Sequence, residues 1–371
     1  MTYFLAHVRS RLPVGCSIFP TRNKVSLVSA ILLALCAKPA ISQANGWTSR
    51  ANLSTSDFPC QDDLKVVSFQ NSPEYTVENA YLSLKAAWLS HNKNTDEKLA
   101  QLKNWGFERM QDLPSDDFGS RGYIADHGDY IMVAFRGTES KKDFASNTLF
   151  YQSEAPSYLG AKGAWMHKGM KSIYNQLRPS VHKIMADFGG LHKPLYFAGH
   201  SLGGSLAVIA ALDLANLGAQ VNSIYTFGQP KVGNLVLAHK VKALLGDRLY
   251  RIALDSDITS RVPPAKETAE DFSNIFPATN PKMRTSVKSL VTSINYSTET
   301  GFFQLMNKNG NLTPTGSGEL DFEHSYWQKI SSTLSDRDDL QSVIEFMASR
   351  FTDHMPKVYI CAMAKNFVKG Q

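Results

Sequence analysis

Ser201 is the residue in this chain whose type and surroundings best suit a nucleophile. It stands in Phe197-Ala198-Gly199-His200-Ser201-Leu202-Gly203-Gly204, a Gly-x-Ser-x-Gly turn. Before the turn lies the short apolar and aromatic stretch Pro194 to Ala198; after it comes an Ala- and Leu-rich stretch, Ser201 to Asn216, that stops near Gly218. This order predicts strand, tight turn, helix, the setting in which a serine hydroxyl is lifted to the edge of a sheet. The glycines supply the missing side chains that let the turn form and the helix lie close to the strand. Leu202 follows at the first helical turn, where its backbone N–H can face the oxyanion of a tetrahedral intermediate and gain from the helix dipole. The chemistry implied is acyl transfer.

A serine hydroxyl is a poor nucleophile at neutral pH, so Ser201 needs a base, and the base needs an orienting acid. When the nucleophile lies on such a turn, the partners follow it in the order Asp, then His, on loops at the carboxyl ends of later strands. Asp257 meets that requirement, just past an apolar stretch ending at Leu254 and before Pro263-Pro264; Asp255 is its competitor. His200 adjoins Ser201 and cannot swing onto its own neighbour, which makes it a packing or hydrogen-bonding residue. Two downstream histidines remain: His324 in Asp321-Phe322-Glu323-His324-Ser325-Tyr326-Trp327, and His354 in Phe351-Thr352-Asp353-His354-Met355-Pro356. Pattern alone does not separate them.

The elements that must position these residues can be read from periodicity. Two helices are expected over Glu78 to Leu89 and Asp96 to Trp105. A hairpin is expected from strands near Gly122 to Ala125 and Tyr130 to Phe135, joined through Asp126-His127-Gly128-Asp129. A helix over Gly169 to Phe188 should be disturbed at Pro179. Further strands are expected at Val221 to Phe227, Arg248 to Leu254 and Phe302 to Met306, and a helical region from Leu340 onward, interrupted around Thr352 to Pro356. Strands alternating with helices predict an α/β fold with a mostly parallel sheet covered by helices on both faces. Residues 265–320, rich in Ser, Thr and Asn and carrying Pro277 and Pro281, read as an insertion over the sheet.

The 371 residues, 43% hydrophobic and 19% charged, describe a globular chain. Residues 1–44 differ from the rest: Arg9, Arg11, Arg22 and Lys24 precede the apolar run Val25 to Ala37, and Ser42-Gln43-Ala44 offers small residues for cleavage. That is a signal-peptide pattern with cleavage near Ala44, and the run falls short of the roughly 20 apolar residues of a membrane span. Residues 45–371 are then expected to form one catalytic domain, with its core at about 118–264, on a secreted or periplasmic protein. Residues 1–44 hold five basic and no acidic side chains, so the mature balance is 34 Lys and Arg against 33 Asp and Glu, or +1 in place of +6. The basicity belongs to the leader and argues nothing for nucleic acid. Cys60 and Cys361 remain near the two ends of the mature chain, free to pair in an oxidising compartment. No Cys or His spacing suggests a metal site, and no cofactor is expected.

Several stretches together resemble the class 3 lipase family, typified by filamentous-fungal triacylglycerol lipases. Val133-Ala134-Phe135-Arg136-Gly137-Thr138 is similar to the family's oxyanion strand, His167-Lys168-Gly169-Met170 to its His-x-Gly segment, and Gly199 to Gly204 to its elbow. Thr226-Phe227-Gly228-Gln229-Pro230-Lys231-Val232-Gly233-Asn234, then Asp257-Ile258 and Pro263-Pro264, follow in order. The resemblance covers roughly residues 120–265. It implies an α/β-hydrolase fold, with Asp257 as the acid of a Ser201-Asp257-His triad and Thr138 as a second oxyanion donor beside Leu202. It also favours His354 over His324 as the base, because the family's histidine follows Asp and precedes Tyr, as Asp353-His354 and Tyr359 do here. It implies a helical lid within Glu139 to Trp165, transient contact with a lipid-water interface, and hydrolysis of acyl esters of glycerolipids. Phospholipase A1 or another carboxylesterase is the alternative on the same chemistry, and a catalytically silent lipid-binding protein is the alternative outside it.

Overall fold

A computed structural model describes residues 69–114, 122–137, 151–297, 302–314, 318–336 and 339–369. The expected signal peptide 1–44, Cys60, Thr138 and the part of the expected lid before Tyr151 lie outside them.

The central sheet forms from stretches that are apolar on both sides. Strands β1 (Arg109–Leu113), β2 (Gly122–Asp126), β3 (Ile131–Phe135), β6 (Leu195–His200), β7 (Val221–Phe227), β8 (Leu249–Leu254), β9 (Phe302–Met306) and β10 (Leu312–Pro314) lie side by side in the order β1-β2-β3-β6-β7-β8-β9-β10. The pairings β3 with β6, β6 with β7, β7 with β8 and β8 with β9 are parallel, and the outer ones are antiparallel. In β6, Leu195 and Phe197 enter one core while Tyr196 and Ala198 enter the opposite one. Burial of both faces is why the strand reads as an unbroken apolar run instead of an alternation. The architecture is that of an α/β hydrolase.

On one face lie α3 (Lys168–Asp187), α4 (Leu202–Asn216) and α5 (Leu235–Leu245). The other face is covered by α1 (Val77–Leu89), α2 (Thr95–Asn104) and α10 (Pro356–Lys369). Helix α4 is largely apolar and buried from Leu202 to Leu214, as a helix wedged between sheet and neighbouring helices must be. A short two-stranded ribbon, β4 (Gln152–Glu154) with β5 (Trp165–His167), stands apart from the main sheet.

Three expectations change. Helix α3 continues without a break through Pro179. Its buried stripe of Met170, Ile173, Tyr174, Leu177, Val181, Ile184 and Met185, at about 1.5–3 kcal/mol per large apolar side chain, outweighs the roughly 3 kcal/mol that an interior proline costs. Residues 265–320 are more than an insertion, because β9 continues the sheet beside β8 and β10 closes its edge. The remainder of that region, α6 (Ala269–Asn274) and α7 (Pro281–Ile294), joins α8 (Glu319–Thr333) and α9 (Leu340–Arg350) around a separate core of Phe272, Val287, Trp327 and Met347. Finally, the described part of the expected lid, 151–165, holds β4 and a 3-10 turn at Ser157–Leu159, with Leu159 fully buried and Tyr151 and Trp165 half-exposed.

Candidate active site

Ser201 lies between β6 and α4 with φ 58° and ψ −131°, in the left-handed half of backbone space although it carries a side chain. A non-glycine residue held there costs about 1–3 kcal/mol and needs surroundings that impose it. Here they do. The Ser201 N–H donates to Phe227 O at 2.9 Å, and a Cβ placed on Gly199 would come within 2.2 Å of the Gly203 backbone. Leu202 is the first residue of α4, so its N–H lacks an intrahelical acceptor. The end of β3 meets the elbow from the other side: a Cβ on Gly137 would approach Ser201 Cβ to 3.3 Å.

Asp257 is completely buried on the loop after β8. Its Oδ2 accepts hydrogen bonds from Tyr359 Oη at 2.6 Å and from His354 Nδ1 at 2.8 Å, while Oδ1 accepts from Thr259 N at 2.7 Å. Burial pushes the carboxyl up, but the adjacent His354 and these three donors outweigh it and hold it below its ordinary value. Burial and the Asp257 charge push the Tyr359 phenol well up, so Tyr359 stays a donor; its oxygen also accepts from Leu254 N at 3.0 Å. Asp255, the competing acid, is exposed and only turns the chain.

His354 ends the 3-10 turn Phe351–His354, directly before α10, and its side chain is 15% exposed. With Nδ1 committed to Asp257, Nε2 is buried and has no hydrogen-bond partner among the described residues. Of the two candidate histidines, His354 is the one brought to Asp257. His324, on α8, instead pairs with Asp271.

Arg261 carries no signal of its own in the sequence, and Gly228 and His167 stand in motifs of the resemblance without an assigned role. Arg261 is buried and its Nη1 donates to Leu254 O, Asp257 O and Ser260 Oγ, bracing the acid loop, while its guanidinium lies over Tyr326 at 4.2 Å. Gly228, with φ 57°, presses against the pair: a Cβ there would lie 2.8 Å from Asp257 Oδ2 and 2.9 Å from the His354 ring. The His-x-Gly histidine, His167, caps α3, its Nδ1 accepting from Gly169 N at 3.0 Å and Met170 N at 3.3 Å. Among the described residues no cluster of three His, Cys, Asp or Glu side chains is suited to a metal ion.

Residues 132–267, which span β3, the elbow and the Asp257 loop, match the class 3 lipase family. Over these residues, about a third of its length, the chain is similar to that family. Relatives aligning with it include a lipase from Rhizopus niveus, 33% identical over 154 residues, covering 39% of this chain and 38% of that protein. A longer alignment, 300 residues at 29% identity, pairs 69% of the chain with 42% of Toxin TseL from Vibrio cholerae. Phospholipase A(1) DAD1, chloroplastic, from Arabidopsis thaliana is 22% identical over 233 residues, covering 58% of the chain and 47% of that protein. The aligned parts therefore span less than half of each relative. The class 3 lipase match ends at residue 267, upstream of His354, so the choice between histidines rests on the tertiary contacts.

Proposed function

We propose that this chain is a serine lipase that hydrolyses carboxylic ester bonds of glycerolipids. His354 Nε2 takes the proton of Ser201 Oγ as that oxygen attacks the ester carbonyl. Asp257 orients the imidazole and stabilises the imidazolium. The N–H groups of Leu202 and Thr138 stabilise the oxyanion, each donor contributing on the order of 3 kcal/mol. The proton then passes from His354 to the leaving alcohol, and water repeats the sequence on the acyl-Ser201 ester. The observation that carries this reading is the buried Asp257 carboxylate bonded to His354 Nδ1, which leaves Nε2 as the free proton acceptor. The signal-like residues 1–44 support export of the enzyme. A phospholipase A1 activity is the second reading, supported by the alignment with the Arabidopsis protein.

Hydrolysis of short- and long-chain triacylglycerols and of phosphatidylcholine by the purified chain tests both. Ser201→Ala and His354→Ala are expected to lower kcat by at least 10³-fold, and His324→Ala to stay within about threefold of the parent. Loss with His324→Ala and retention with His354→Ala would move the base to α8. Preference for phosphatidylcholine would favour the second reading.

A further inference from the structure

His200 is the residue of the elbow that the acyl-transfer scheme leaves unused. It is the last residue of β6, only 4% exposed, and immediately precedes Ser201. Its Nε2 lies 2.9 Å from the backbone oxygen of His354. A carbonyl oxygen only accepts, so the proton is on His200 Nε2. The two imidazoles are stacked, with centroids 4.6 Å apart and planes at 28°, and the Tyr359 ring meets His200 edge-on at 5.4 Å. Burial, then the neighbouring His354, hold the His200 imidazole well below its ordinary value, so it remains neutral when His354 takes a proton. A neutral ring face against an imidazolium is attractive, whereas a second cation there would repel.

His354 is thus held at three points: Nδ1 by Asp257, its backbone oxygen by His200, and one ring face by His200. Asp257 belongs to the β8 loop, but His200 is covalently joined to Ser201. Among the described residues, the His200 contacts refer the position of His354 to the strand that carries Ser201. Geometry matters at this junction because a displacement of about 1 Å between nucleophile and base can cost about 10²-fold in rate.

We propose that His200 is a positioning residue for His354, setting the base against Ser201 through its N–H···O=C bond and its stacked face. The proposal rests on the triad reading above. Two substitutions separate the contacts: His200→Phe keeps a ring and removes the donor, and His200→Gln keeps an N–H and removes the ring. With His200→Phe, kcat and the rate of Ser201 labelling by a fluorophosphonate are expected to fall about tenfold or more, with KM within about twofold; His200→Gln should recover part of that loss. Proton NMR of the same proteins reads the His354 Nδ1–H that bonds to Asp257 without any substrate. Its downfield signal is expected to move upfield and broaden in both variants, where His354 is less firmly held against Asp257. Parent-like kcat and an unmoved signal in both variants, with only a lower melting temperature, would overturn the proposal and leave His200 a packing residue. Retained activity in Ser201→Ala would overturn the triad reading instead, and the Nδ1–H signal would still decide whether His200 acts on His354.

Discussion

Asp257 keeps its charge in a completely buried position because three donors and an adjacent histidine compensate for lost water. Its folded value lies below the unfolded one, near 3.9, so the carboxylate contributes stability above about pH 4 and loses it as pH falls through the folded value. Asp257→Asn removes that titration. Urea unfolding between pH 3 and 7 is therefore expected to show the parent's stability advantage over Asp257→Asn shrinking toward acid, and a constant difference would contradict the charge assignment. The same substitution should lower kcat by several orders of magnitude, since the amide cannot hold the imidazole in the required tautomer. At this scale the candidate residues were largely readable. Ser201, Leu202 and Asp257 are adjacent to turn and strand signals that dictate their placement. His354 and His324 were not separable from the residues alone, because a base is chosen by what it touches across 97 residues of chain. Arg261 and Gly228 act through contacts that no spacing encodes.

At the scale of elements, α8 shows how a charged helix can be an interior one. Its buried positions include Glu319, Glu323 and Trp327, a helical stripe that contains carboxylates and so gives no apolar signal. Glu323 Oε2 pairs with Lys231 Nζ at 2.7 Å, and its Oε1 accepts from Ala265 N and Thr268 Oγ1, each at 2.8 Å. Glu319 pairs with Arg251 of β8. Lys231 ends the Gly228-Gln229-Pro230-Lys231 loop, so the pair also steadies the glycine packed on Asp257 and His354. Glu323→Ala strands a buried lysine, and an equilibrium denaturation series should find it destabilised by about 3–5 kcal/mol. The double change Lys231→Met with Glu323→Leu is expected to cost less than Glu323→Ala alone, and an equal or larger cost would mean that the remaining hydrogen bonds of Glu323 dominate. Other elements escaped the periodicity for similar reasons: β1, Arg109-Met110-Gln111-Asp112-Leu113, is a half-exposed edge strand, and its charged residues pair with Lys98 and Asp126.

Across the whole molecule, the beginning and end of the described chain meet on one face of the sheet. Residues before α1 cross beneath three tyrosines of successive strands: Tyr196 Oη donates to Asn71 Oδ1 at 2.7 Å, Tyr225 Oη to Glu74 O at 3.3 Å, and Tyr250 Oη to Pro73 O at 2.9 Å. Helix α10 packs on the same face, where Tyr359, Ile360 and Met363 share a core with Ala80, Tyr81 and Leu84 of α1. This packing fixes the chain immediately after His354. Cys361, two residues beyond Tyr359, is disulfide-bonded, and Cys60, its expected partner, lies outside the described residues. Paired with Cys60, Cys361 would close a loop of about 300 residues and limit the unfolded ensemble. Cys361→Ser is accordingly expected to lower the unfolding free energy by about 2–5 kcal/mol under non-reducing conditions, with the gap closing in dithiothreitol. An unchanged urea midpoint would show that packing alone holds α10 in place.

Local chemistry in the sequence was sufficient for the elbow, the parallel strands buried on both faces and the loop bearing Asp257. Each depends on residues within a few positions of one another: glycines where backbones touch, apolar runs where both faces are covered, an aspartate where a strand ends. The tertiary structure decided which histidine meets Asp257, that α3 tolerates Pro179, that β9 and β10 extend the sheet, and that Glu319 and Glu323 are interior ion-pair partners. Those outcomes depend on groups far apart in the chain, whose burial and pairing energies exist only after the elements have packed.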